Sequence, residues 1–329
     1  MNRAGCVNLF KTQVTEMLKL KYPIFAGNMM NISKPEFAAA CSNAGGLGIM
    51  ASVMYRTAEP LREAVQKLQS LTKKPFAVNV NLFPMLMPVK LDKLCALMIN
   101  EGVTIIETSG HQAPDKLIPM FKANHVTWIH KCAGVRYAKK AESLGADIVE
   151  VVGWENGGAT GMFDIGTLVL TPATIEAIKV PVVAGGGIAD ARGLVAVLSL
   201  GAQAGLIGSR LLLTKECPIH DNLKAALSKA TIYDTTIIMR SLNATHRVWN
   251  NEAAKRVQKL EEEKKNQNEI FEAAAGAKSK MMYDEGDITA GIIACSQSIG
   301  LAKDIPTVQE LFDRIMKEAK DIVQKLYNS

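Results

Sequence analysis

Short apolar runs rich in Val and Ile recur along the chain, separated by stretches in which apolar positions fall three and four residues apart. Bounded by turn residues, these runs predict buried strands at 22–26, 46–50, 76–79, 104–107, 126–130, 147–151, 182–184 and 204–207. The stretches between them predict helices: Pro35 opens 36–43, Gly145 stops 133–144 and Gly201 stops 191–200. Strands alternating with helices describe βαβ units on a parallel sheet, and about eight of them suit closure into a (β/α)8 TIM barrel of the α/β class. The related endings SLGADIVEV at Ser143 and SLGAQAGLIG at Ser199 repeat a helix stop followed by a buried strand, as such a barrel would.

After Leu213 the pattern turns polar and mostly helical. This divides the chain into a barrel (1–213), a helical cap or insertion (214–285) and a C-terminal segment returning to the barrel (286–329). The charge-dense run 255–265 reads as a solvated helix face. The insertion as a whole would serve as a lid over the barrel mouth or as a homodimer interface. Beyond it come an apolar segment, 288–301, and an amphipathic closing helix, 308–327.

With 48% hydrophobic and 21% charged residues among 329, the chain has ample material for a core and the balance of a soluble globular protein. Its net charge of +6 is spread out rather than gathered with aromatics, which argues against nucleic acid as a partner. The charge suits anionic small molecules such as phosphates, nicotinamide nucleotides or acyl-CoA esters. The cysteines at 6, 41, 95, 132, 217 and 295 show no C-x-x-C spacing, and the first ten residues carry no secretory pattern. No uncharged apolar run reaches the roughly 18 residues of a membrane span, so a cytoplasmic protein off the membrane is expected.

The chemistry concentrates in VPVVAGGGIADARGLVAVLSLGAQAGLIGSR, which begins at Val180. Gly185, Gly186 and Gly187 follow one strand, and Gly208–Ser209 end the next, so free N–H groups and a hydroxyl can converge on an anion. This is the phosphate corner that barrels build after strands 7 and 8. FMN, an IMP-like nucleotide or a sugar phosphate would each fit it. A second glycine-dense loop, GWENGGATGMFDIG from Gly153, follows the sixth strand and suits close passage over a flat ring or a mobile cover.

Several further motifs stand in order around these two: KYPIFAGNMM at Lys21, GGLGIMAS at Gly45, FAVNVNL at Phe76, LGADIVEVVGWENGG at Leu144, PVVAGGGIADARG at Pro181, GLIGSRLL at Gly205 and GDITAGIIACSQSIGLAKDIPT at Gly286. Together they resemble the nitronate monooxygenase (2-nitropropane dioxygenase) family, which includes FMN-dependent enoyl-ACP reductases, over nearly the whole chain. The resemblance implies an FMN oxidoreductase. Electrons would pass through flavin N5 between NADH, NADPH or a nitronate and an acceptor such as oxygen, an activated alkene or a quinone. It places Ala26, Gly27, Asn28 and Met29 against the flavin ring, Asn79 at its polar edge and Lys131 at its pyrimidine side. Glu150, Gly153 and Gly158 would line the same region, Gly185–Gly187 and Gly208–Ser209 the phosphate, and Gln297 would reach in from the C-terminal segment. No metal is implied.

One departure bears on the chemistry. The family commonly reads E-A-G-G-H after the sixth strand, its His acting as base or substrate-orienting group, whereas this chain has Ala159 there. Ala159 cannot transfer a proton. His111 beyond the fourth strand is the candidate catalytic replacement, with His130, Glu155, Asn156, Thr160 and Tyr283 behind it. Period-2 alternation lets only one of His130 and Lys131 face inward, and His125, His220 and His246 read as surface residues. Met29–Met30, Met85–Met87 and the stretch 83–88 could wall an adaptable apolar substrate pocket. The competing readings are an enoyl-thioester reductase, an IMP dehydrogenase-like or sugar-phosphate barrel, and a non-catalytic flavin-binding protein. The absence of a Gly-Ser-x-Cys loop counts against the IMP type.

Overall fold

Strand parity sorts the chain's apolar residues into two layers, one inside a ring of parallel strands and one between that ring and its helices. The computed structural model describes residues 10–82, 90–110, 112–274 and 276–328. The ring consists of β1 (Ile24–Ala26), β2 (Gly48–Ala51), β3 (Phe76–Asn81), β4 (Ile105–Ser109), β5 (Thr127–Cys132) and β6 (Ile148–Val152). After the two-residue β7 (Gly158–Ala159), which lies outside the ring, β8 (Val182–Gly185) and β9 (Ala204–Ile207) complete it. Neighbours run β1-β9-β8-β6-β5-β4-β3-β2. A parallel bridge between Phe25 and Leu47 closes the gap, with Ala26 N–H donating to Leu47 O at 2.9 Å and Leu47 N–H to Ile24 O at 2.8 Å. The result is a (β/α)8 barrel, and every predicted strand overlaps one of these.

Inward side chains Phe25, Leu47, Ile49, Ala77, Ile105, Ile129, Ile148, Val183, Ala204 and Leu206 fill the interior. Val14 and Leu18 of the helix Gln13–Leu18 join the same cluster. That helix is pinned at the N-terminal end of β9, where Thr12 Oγ1 donates to Gln203 O at 2.7 Å and Gln13 N–H to Gln203 Oε1 at 3.0 Å. One end of the barrel is thus plugged with apolar side chains, leaving the C-terminal strand ends for chemistry. Outward residues such as Met50, Val78, Ile106, Trp128, Val149 and Val182 pack under the helices.

The stretch 214–285 carries the helices Asp221–Leu227, Glu252–Glu262, Gln267–Ala273 and Gly276–Glu285, together with a strand pair that the sequence pattern did not predict. β10 (Thr235–Ile238) and β11 (His246–Trp249) run antiparallel, and β11 also pairs with β7 of the glycine-dense loop. The charged helix Glu252–Glu262 shows water a solvated face, and its Ala254 and Val257 pack with Ile238, Met239, Val248 and Ile270 in a small core of their own. The apolar segment 288–301 is not a regular helix: Ala294 bridges Val248, and a 3-10 turn spans Gln297–Leu301. The closing helix Val308–Asn328 buries Leu311, Phe312, Ile315 and Met316 against the outer layer beside β1 and β9. Among the described residues, no helix is long and apolar enough to cross a membrane.

Candidate active site

The same parity that fills the barrel with apolar groups puts charge at its C-terminal end. Asn79, Glu107, Ser109, Lys131 and Glu150 alternate with outward apolar neighbours on β3 to β6 and so point inward. Asn79 Nδ2 donates to Glu107 Oε2 at 2.7 Å and to Ser109 Oγ at 3.1 Å. Lys131 Nζ donates to Glu107 Oε1 at 2.6 Å and also to Asn28 Oδ1 in the loop after β1. Asn79, Glu107 and Glu150 are fully buried. Both Glu150 carboxyl oxygens and Asn79 Oδ1 lack a hydrogen-bond partner, as does buried Thr160 Oγ1 nearby in sequence beyond β7. Such orphaned groups are costly unless a ligand or a proton satisfies them.

Burial pushes the Glu150 carboxyl well above the usual carboxylate range, the Glu107 carboxylate raises it further, and Lys131 offsets only part of this. For Lys131 burial acts downward, yet Glu107 and Glu150 outweigh it and hold the ammonium above its ordinary value. His130 takes the other parity. Its ring faces outward, with Nδ1 2.8 Å from Thr108 Oγ1 and Trp128 packed beside it, and burial lowers it to about 4. His130 is therefore no ligand group, and Lys131 owns the inward direction.

At the neighbouring strand ends, Gly186 and Gly187 adopt positive φ, 104° and 75°. A Cβ at Gly186 would lie 2.6 Å from Thr167 Oγ1, so only glycine fits there without displacement. At Gly208 a Cβ would meet nothing within 4 Å, which leaves an open cradle beside β9. Ser209 opens the short helix Ser209–Leu212, and its Oγ accepts Ser296 N–H at 2.7 Å. Gly153 N–H donates to Gly185 O at 3.0 Å, tying the loop after β6 to this corner.

That loop is braced from both sides. The Glu155 carboxylate accepts Thr167 N–H at 3.0 Å and so caps the helix Thr167–Ala177. Its backbone carbonyl takes Ser296 Oγ–H at 2.6 Å and Gln297 N–H at 3.2 Å. Trp154 carries Arg240 and Arg247 over its ring, each guanidinium 5.0 Å from the ring centroid, and Arg247 Nε donates to Trp154 O at 3.0 Å. Ala159 sits in β7 directly opposite His246. His246 is half-buried, its Nδ1 2.8 Å from Ala244 O, so its expected place on the open surface is corrected: strand pairing brings it beside the position where the family carries its His.

Of the predicted site residues, Asn28, Asn79, Lys131 and Glu150 belong to the charged cluster, whereas Ala26 and Met29 pack with the outer core and Gly27 lies beside Gly208. Gly153, Gly185–Gly187, Gly208 and Ser209 form the glycine corner. Gly158 lies on β7 with φ 88°, and half-buried Gln297 follows Ser296 over Glu155. His111, Met85–Met87 and the stretch 83–88 lie outside the described residues. Tyr283 is buried in the outer core rather than presented to the mouth, and Asn156 Nδ2 is spent on Gly157 O and Ala159 O. Sequence reasoning missed Glu107, Thr167 and Arg247. For Glu107 a signal existed, because a carboxylate at an inward parity position of a buried strand is out of place without a partner.

The profile of the nitronate monooxygenase family matches residues 11–318. The (3aS,4S,5R,7aS)-5-hydroxy-7a-methyl-1-oxo-octahydro-1H-indene-4-carboxyl-CoA dehydrogenase of Rhodococcus jostii is 32% identical over 95% of this chain and 97% of its own. A probable nitronate monooxygenase of Staphylococcus saprophyticus is 32% identical over 69% of this chain and 75% of its own. Among solved structures, FabK from Thermotoga maritima superposes with a TM-score of 0.90 at 34% identity, covering 97% of this chain and 99% of its own.

Proposed function

Because this chain belongs to the nitronate monooxygenase family, and its relatives are oxidoreductases, we propose that it is an FMN-dependent oxidoreductase whose substrate is an α,β-unsaturated or saturated acyl thioester. The observation that carries the cofactor reading is the pairing of the open space over Gly208 at the end of β9, beside the positive-φ glycine turn after β8, with buried, unpartnered polar atoms on Asn79 and Glu150 at the same end of the barrel. A ligand with a phosphate at one end and a flat polar heterocycle at the other satisfies both.

Bound FMN would supply a two-electron carrier that accepts and returns hydride at N5. The N–H groups of Gly185–Gly187 and Gly208, with Ser209, would hold its phosphate. Asn79, Lys131 and Glu150 would meet its polar edge, Ala26–Met29 its ring, and Gly153, Gly158 and Gln297 the remaining wall. Stretch 214–285 then serves as a cap, since β11 and Arg247 brace the loop after β6. A homodimer through this cap is the further assignment.

The thioester is favoured over a nitronate by two facts. Ala159 offers no base, and the 32% identical relative that spans the chain is named for a carboxyl-CoA substrate. Base-assisted nitronate oxidation is the second reading, and half-buried His246 opposite Ala159 is the observation in its favour. Anaerobic mixing of the FMN-loaded protein with NADH or NADPH should bleach the flavin, and an enoyl thioester should restore its colour. Bleaching by a nitronate with neither nicotinamide present, and no recolouring by the enoyl thioester, would overturn the thioester assignment.

A further inference from the structure

The cluster beneath the mouth holds more acid than it can ionise. Glu107 engages Lys131 through Oε1 and Asn79 through Oε2, so its two oxygens are occupied. Glu150, paired in register with Lys131 across β5 and β6, is fully buried and has no donor on either oxygen. The charged groups that act on it are Glu107 on β4 and Lys131 on β5, which are tied in turn to Asn79 on β3 and Asn28 after β1. The Cys132 thiol, next along β5, packs in the outer layer and is pushed up to about 12 by burial. If both carboxyls ionised, two anions would face one cation out of contact with water, which buried sites avoid by keeping a proton.

We propose that Glu107, Lys131 and Glu150 form a one-proton reserve at the inner end of the site, in which Lys131 hands a proton to the bound molecule and Glu150 replaces it. Lys131 is the member with access to the mouth, its side chain 16% exposed against 0% for Glu107. At rest the cluster holds Lys131 as ammonium, Glu107 as carboxylate and Glu150 as neutral acid. When an N–H proton of Lys131 passes to the substrate, the neutral amine turns to Glu150, its register partner across β5 and β6, and takes the proton there, because a carboxylic acid is a far stronger acid than an ammonium. Lys131 is again charged, Glu150 is now a carboxylate, and one proton has left. On the thioester reading, FMN held at this site would supply the hydride equivalent, and Lys131 the one proton, that saturation of the conjugated double bond needs. Lys131 then passes a proton back to Glu150 and recovers one from solvent at the mouth, which it alone of the three reaches. The use of the proton rests on that reading, and the proton count does not.

Infrared spectroscopy of the full-length protein at about pH 7.5 tests the count. A protonated carboxyl stretch that shifts on transfer to D2O is expected, and it should vanish in Glu150→Gln. It should also vanish in Glu107→Gln, where Glu150 ionises against the freed Lys131. A wild-type spectrum without such a band, or a band that survives Glu150→Gln, overturns the reserve. FMN binding measured on the same samples separates the two ideas: bound FMN without the band sinks the reserve alone, and the band without FMN binding sinks the flavin reading alone. With an enoyl thioester, Glu150→Gln should slow turnover by roughly 10²-fold and flatten its pH dependence, as loss of an acid does. An unchanged rate and profile would leave Glu150 without the assigned role.

Discussion

Lys131→Met removes the one cation that faces two buried carboxyl groups, and the structure sets what this must cost. Glu107 is fully buried and bonded to Lys131 Nζ at 2.6 Å. Left ionised, it becomes an unpaired buried charge, a loss of about 3–5 kcal/mol. Lys131→Arg keeps the charge and should lose far less, and Glu107→Gln in the Lys131→Met background, which removes the stranded charge, should recover much of the loss. Urea unfolding followed by tryptophan fluorescence measures all three. A loss under about 1 kcal/mol in Lys131→Met, or no recovery in the double variant, would refute the buried-pair reasoning.

Two further outcomes follow from the same geometry. Gly186→Ala combines a positive φ with a Cβ 2.6 Å from Thr167 Oγ1, so it should cost about 2–4 kcal/mol in urea unfolding and abolish FMN binding, whereas an unperturbed variant would show that the glycine is not required there. His130, lowered to about 4 by burial, stays neutral in the folded protein while the unfolded chain takes up a proton below about 6.5. Its share of stability, about 3 kcal/mol, should be lost as pH falls from about 6.5 to about 4, and His130→Gln should show a flatter acid limb of the unfolding midpoint against pH.

The barrel was legible because its strands are buried on both faces, so each shows a short apolar run between turn residues, broken by polar groups toward the C-terminal ends of β3 to β6. The glycine corner was legible for a different reason: close backbone approach leaves only glycine, and Gly186 and Gly187 show the positive φ that this demands. Alternation also narrowed the choice between His130 and Lys131, which cannot both face the mouth. What stayed hidden depended on pairing between distant segments. β10 and β11 are four residues each, too short to show a period, and they are held by partners from β7 and the segment after 288. The placement of His246 beside Ala159 is a matter of that register. Glu107 shares the inward parity of Ile105 in the run TIIETS, so its oddity was readable, but its partner Lys131 comes only with the closed ring.

The central assignment, a flavin held between the glycine corner and the charged cluster, is tested most directly by titrating the purified protein with FMN. Flavin fluorescence and the visible spectrum should report saturable binding of about one FMN per chain, displaced by riboflavin only weakly because the phosphate corner supplies much of the affinity. A protein that stays colourless, or that binds riboflavin as tightly as FMN, would contradict the account.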